Sequence, residues 1–418
     1  MNEYAAVLVQ AALEEQAAGR VEPAIALLKL VVGASGADGY VLYALGRFQY
    51  DARCFAAAEA ALSVSVRIDP GHAAAFNDLG AVLFALNRDA EALVYIRRAL
   101  ELQPDLAESA ESDSMWALRY GQFREGWKRY EARYRTLESA KFRRDFAAPR
   151  WTGEPVRDRT VLLHAEQGIG DTIQFLRYAP LVAARGARVV LEVHRGLRAL
   201  TGALPGVAAV VELGDPLPPF DLQCPMLSLP MVFDTDLDSI PATIPYLSVP
   251  SERIYQWRTR LGPRRAKRIG IAWSGNPLHR EDARRSIALA RFARVLAPHP
   301  DREFHVLQAD VRESDRAALA GLPHVRDHSG MLRDFADTAA LVSLMDLVIS
   351  VDTSVAHLAG ALGWPVWLLL AAVADWRWLL ERDDSPWYPT VWLFRQTEAG
   401  GWDPVLDAVL RQMQEMLG

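Results

Sequence analysis

Pro70 and Pro104 stand 34 residues apart, and the chain around them keeps the same register. Gly46 matches Gly80, Leu45 matches Leu79, Leu42 matches Phe76 and Ala58 matches Ala92. One period later Gly126 and Tyr130 take the places of Ala92 and Ile96, and two periods earlier Ala24 and Leu28 do. A fixed period of this size describes units that cannot bury their apolar faces alone and must stack on one another. Small residues at a recurring position let two antiparallel helices approach, and the proline ends the second. The unit from Gly71 to Pro104 is clear, that from Asp38 to Pro70 good, and the two flanking ones are degenerate, as the ends of a stack must be.

This is the tetratricopeptide signature, and it predicts an α-solenoid over residues 1–140. Such arrays usually bind extended segments of other proteins, and Tyr43 and Asn77, both on first helices, are the candidate acceptor-groove residues. From Lys141 to residue 158 the helical periodicity is lost and Pro149, Gly153 and Pro155 intervene, which reads as a linker. Strand-like runs follow at 160–164, 187–193, 208–212 and 222–227, then at 269 onward, 304–308, 347–351 and 366–370. Strands alternating with helices predict parallel sheets, here in two α/β halves, 159–260 and 261–418, with a ligand cleft between them at the carboxyl ends of the strands. An amphipathic helix from Trp402 to Met416 closes the chain.

Composition sets outer limits. The chain has 418 residues, half of them hydrophobic, with a net charge of −6 and no long basic run, so nucleic acid is not an expected partner. Cys54 and Cys224 have no metal-like spacing and give no disulfide framework. The first residues lack a cationic leader pattern and no apolar run reaches membrane-span length, so stable membrane insertion is not expected and the cytoplasm is the default location. The acidic string Asp234-Thr235-Asp236-Leu237-Asp238 reads as a solvated loop, and no metal is expected.

Three loops should converge in the cleft. The first is Glu166-Gln167-Gly168-Ile169-Gly170-Asp171, where Gly168 and Gly170 allow close backbone approach and Asp171 starts a helix, as a reacting carboxylate or as a plain N-cap. The second runs from Trp273 through Ser274, Gly275, Asn276 and Arg280 to Arg285, and is unusually rich in donors and cations for a connection. The third is Asp352-Thr353-Ser354, which can cap the helix that follows, with His357 one turn on. There a buried strand delivers a helix N-terminus whose N–H groups and dipole favour an anion. Asp375-Trp376-Arg377-Trp378 and Ser385-Pro386-Trp387-Tyr388 concentrate aromatics that fit either a sugar or base wall, with Trp273, Trp376 and Trp378 as its candidates, or a packed domain junction.

In their order and residues, these loops resemble the GT-B glycosyltransferases related to lipopolysaccharide heptosyltransferases, known as family 9. Gly170-Asp171 matches the Gly-Asp motif whose aspartate is taken as the catalytic base, and Asp352-Thr353-Ser354 with His357 resembles the motif that holds the donor phosphates. The resemblance spans about residues 160–395, and it implies that the last helix packs back across the boundary between the two halves. The whole chain is similar to bacterial fusions of tetratricopeptide repeats with such a domain, several of which are thought to glycosylate proteins, and in layout to O-GlcNAc transferases.

The resemblance implies a metal-independent, inverting transfer from a nucleotide sugar to a protein hydroxyl, of a surface protein such as flagellin, with no cofactor. Asp171 would take the proton. Asp352, Thr353, Ser354, His357, Ser274, Asn276, Arg280 and Arg285 would surround the leaving phosphate, and Gln167, Gly168, Gly170 and Gly275 would offer backbone. Three readings compete with it: a lipopolysaccharide or polysaccharide acceptor, a nucleotide-sugar epimerase, and a non-catalytic repeat adaptor.

Overall fold

A computed structural model describes residues 3–36, 38–136 and 140–417. The chain divides into two compact units, one up to Lys141 and one from Phe142 onward. Among the described residues of the first, eight α-helices form four hairpins: α1 (Glu3–Ala17) with α2 (Val21–Ser35), α3 (Gly39–Asp51) with α4 (Phe55–Ile68), α5 (Ala73–Ala85) with α6 (Asp89–Leu102), and α7 (Ala107–Arg119) with α8 (Phe123–Tyr130). The period is explained at its smallest residue. A Cβ on Gly80 would lie 2.5 Å from Ile96 Cδ1 and 3.1 Å from the Ala92 carbonyl, so α5 and α6 pack backbone to side chain only because that Cβ is missing. Gly46 stands in the same relation to Leu62 and to the Ala58 carbonyl. Ala24, Leu28, Ala92 and Ile96, the residues that carry the register, are fully buried. The degenerate ends therefore fold as hairpins like the clear middle.

The second unit holds two separate, wholly parallel sheets. β1 (Thr160–His164), β2 (Arg188–Val193), β3 (Val207–Glu212) and β4 (Leu222–Pro225) are ordered β3-β2-β1-β4. The other sheet contains β5 (Arg268–Ala272), β6 (Glu303–Val306), β7 (Val325–Arg326), β8 (Leu347–Val351), β9 (Val366–Leu370) and β10 (Val391–Arg395), ordered β10-β9-β8-β5-β6-β7. β1, β5, β8 and β9 are almost wholly buried, which is why they read as unbroken apolar runs and not as alternation. β7, only two residues long, and β10, which carries the exposed Trp392, were not foreseen.

Two expectations are corrected. The segment 141–158 is not a free linker: Arg150 bridges in parallel to Gln223 of β4, Trp151 N–H donates to the Gln223 carbonyl at 2.8 Å, and Trp151 and Val156 are fully buried. The last helix, Trp402–Leu417, was expected to cross back to the first half. Instead its stripe of Trp402, Val405, Leu406, Val409 and Met413 joins the second half's own core, and Arg291 and Arg294 of the Leu289–Leu296 helix pair with its Asp403 and Asp407. Among the described residues no helix is long and apolar enough to cross a membrane.

Candidate active site

The carboxyl ends of β1, β5 and β8 deliver the three loops, the position where open α/β sheets place ligands. After β1 the helix α9 (Ile169–Phe175) begins, two residues earlier than expected. Gly168 is its N-cap and Asp171 its third residue, whose Oδ2 accepts from Gly168 N–H at 2.7 Å. One oxygen of Asp171 thus secures the start of its helix. The other, Oδ1, is paired with Arg377 of the opposite half.

After β8 comes the Ser354–Ala361 helix, with Thr353 at the N-cap position and no side chain capping it. This corrects the expected capping: Asp352 turns its Oδ2 to the Trp378 indole N–H at 2.9 Å instead. Among the described residues nothing accepts from the N–H groups of Ser354 and Val355 at the positive end of the helix. His357, one turn on, touches the other loop, since a Cβ on Gly170 would lie 2.9 Å from His357 Cδ2. Glycine at 170 is what lets the first turns of these two helices meet.

The second loop joins through one residue. Arg285 Nη1 donates to the Asp352 carbonyl at 3.0 Å, while its Nε is buried with no hydrogen-bond partner among the described residues. The loop's other candidates serve its own shape. Ser274 Oγ accepts from Gln308 at 3.0 Å, Asn276 Oδ1 accepts from Leu278 N–H at 3.0 Å, and Gly275 N–H donates to Ser286. Arg280 is exposed.

Of the expected wall, Trp273 is corrected outright: it is fully buried in the second half's core, and its indole N–H donates to Asp315 at 2.8 Å. Trp376 and Trp378 are also buried, so they form the packed floor of the junction and not an open wall, with Trp378 lying 5.4 Å from the His357 ring. In the repeats, Asn77 is mostly buried and bridges Ser109 (3.0 Å) and Asp78 (3.1 Å), while Tyr43 packs edge-on to His72 and accepts from Arg47. Asn77 therefore braces neighbouring first helices.

Electrostatics at the junction are concentrated. Burial, with the charge of Asp375 added, pushes the Asp352 carboxyl up to about 6, against the pull of the Trp378 N–H, Arg285 and Arg377. Burial, with Arg377, Arg177 and Arg285 nearby, holds His357 well below the usual imidazole range, so it is neutral. Its Nδ1 lies 3.0 Å from the Tyr388 hydroxyl, which burial keeps protonated. If Tyr388 donates there, the ring proton is on Nε2, the atom 4.0 Å from Asp352 Oδ1.

Sequence reasoning missed the arginines at the centre. Arg377 Nη1 donates to Asp375 at 2.8 Å and its Nε to the Gln174 side chain. Arg177, buried, donates to the Trp387 carbonyl at 2.7 Å and to the Tyr246 hydroxyl at 3.2 Å. His194 was missed as well. The Gln167 carbonyl accepts from its Nε2 at 3.0 Å, and its Nδ1 lies 2.8 Å from Thr172 Oγ, so it clamps both sides of the Asp171 turn. The Asp-Trp-Arg-Trp run was the one available signal for Arg377. Arg177 and His194 lie in ordinary helix and strand-end contexts. No group of three or more His, Cys, Asp or Glu among the described residues could hold a metal ion.

No family model matches the chain. It is 26% identical over 432 residues to Protein FlbA of Caulobacter vibrioides, spanning 95% of this chain and 70% of that protein. Among solved structures, an O-GlcNAc transferase mutant of Thermobaculum terrenum is similar over 98% of this chain and 90% of its own, at 16% identity and a TM-score of 0.36. MamA is similar over 33% of this chain and 81% of its own, at 20% identity and a TM-score of 0.30.

Proposed function

We propose that this chain is a GT-B-type, inverting glycosyltransferase that moves a sugar from a nucleotide-sugar donor to a hydroxyl of a protein acceptor recruited by the repeats. One observation carries the reading: a carboxylate on one half and an uncapped helix start with a neutral histidine on the other meet where Gly170 touches His357. Transfer needs a base for the acceptor proton on one side of the sugar and positive potential for the departing phosphate on the other. Asp171 is suited to the first role. The N–H groups at Ser354 and Val355, His357 Nε2–H and the unpartnered Nε of Arg285 are suited to the second. Helix dipole and guanidinium can supply that potential without a metal.

The test is binding and turnover with a panel of nucleotide sugars. His357→Ala and Thr353→Ala should weaken nucleoside diphosphate binding by about tenfold each, the value of roughly one charge-assisted hydrogen bond. Asp171→Asn should lower turnover by about 10²-fold, as loss of a general base does. Full turnover in Asp171→Asn, or undiminished nucleotide binding in both other variants, overturns the assignment. Activity abolished by chelator and restored by a divalent cation overturns its metal-independent form.

A further inference from the structure

The oxygen of Asp171 that faces away from its own helix is the one a proton would reach, and Arg377 covers it. Arg377 is itself shared: one guanidinium touches Asp171, Asp375 and the Gln174 side chain, lies over the Trp376 ring at 4.3 Å, and is buried. Its charge also reaches His357 and Asp352, the residues flanking the free helix start. Arg377 thus holds the carboxylate while its charge is felt at the anion-favouring helix end, where the neighbouring Trp378 donates to Asp352 at 2.9 Å.

Resting on the glycosyltransferase reading, we infer that Arg377 is an exchangeable cation that couples the two sides: the donor's phosphate draws it off Asp171, and this uncovers Oδ1 for the acceptor hydroxyl. Donor must then bind before acceptor. In the transfer step the acceptor O–H proton passes to Asp171 Oδ1 and the acceptor oxygen bonds to the sugar's anomeric carbon. The bond from that carbon to the phosphate oxygen breaks, its electron pair stays on the phosphate, and Arg377 meets the charge. The same movement that readies the base therefore stabilises the leaving group, and a base uncovered without donor is avoided.

The experiment measures inorganic pyrophosphate and UDP or GDP affinity by calorimetry in the full chain. Asp171→Asn removes the competing partner, so it should tighten pyrophosphate by about tenfold, because Arg377 is no longer held in the unproductive pairing. Loss of one negative charge also tightens an anion site by plain repulsion, so the substitution is repeated in an Arg377→Gln background, where the gain should shrink to about twofold or less. An equal gain in both backgrounds overturns the inference and leaves the phosphate site standing. Should Arg377→Gln fail to fold, a wild-type crystal structure with pyrophosphate decides. Arg377 Nη2 on a phosphate oxygen supports the inference, and Arg377 still on Asp171 overturns it. No binding of pyrophosphate or of either nucleotide to wild type or Asp171→Asn overturns the phosphate site itself, and the inference with it.

Discussion

Asp352 is the residue whose surroundings most constrain its chemistry. It sits in a buried position beside Asp375, and its carboxyl is raised to about 6. A carboxyl raised in the fold binds its proton more readily there than in the unfolded chain, so the fold is favoured at low pH and loses that advantage as pH rises through about 4 to 6. Asp352→Asn keeps an acceptor for the Trp378 indole and removes the titration. It should match wild type in melting temperature near pH 4 and exceed it at pH 7 to 8, and equal melting temperatures at both ends would show the group to be hydrated. Such a perturbed carboxyl beside a helix start is a common mark of a functional position. At this scale the motifs Gly170-Asp171 and Asp352 to His357 were legible, because each is a short strand-to-helix turn. What each side chain touches was not. Asp171 and Arg377 lie 206 positions apart, and nothing in either neighbourhood names the other.

At the level of elements, the hairpins are governed by their closest approach. Gly80→Ala would drive a methyl to 2.5 Å from Ile96 Cδ1 and 3.1 Å from a backbone carbonyl that cannot move aside alone. It should destabilise the repeat unit by about 1–3 kcal/mol, the usual range for overpacking. A melt of the repeat unit followed by circular dichroism checks it, and an unchanged midpoint would mean the helices can separate freely. The strands β1, β8 and β9 were placed to the residue from their apolar runs alone, since a strand buried on both faces needs only local composition to declare itself. β10 and β7 escaped because their signals are weak: β10 exposes Trp392, and β7 is a two-residue extension at the sheet edge. The direction of the last helix also escaped. Its apolar stripe was legible, but several surfaces could have covered it.

For the whole molecule, the compact division at Lys141 lets the proposed recruitment and transfer be tested separately. Deleting residues 1–140 should leave nucleotide binding within about threefold of wild type while abolishing transfer to the protein acceptor, since domains with their own cores fold alone. The cut cannot move later, because Arg150 and Trp151 belong to the edge of the first sheet. A folded truncation that modifies its protein acceptor at the full rate would assign the repeats to another partner.

By itself the sequence determined what depends on neighbours along the chain: the 34-residue stack, the parallel strands, and the three turns where strands feed helices. These follow from periodicity and small-residue placement, which act over one or two turns. Only the tertiary structure decided that Trp273 is core, that Asn77 braces its neighbours, that the linker is a sheet edge, and that Arg377 and Arg177 knit the two halves. Those outcomes depend on which of many compatible partners a buried donor or ring finds, and that choice is made by packing across hundreds of residues, where a local pattern carries no information.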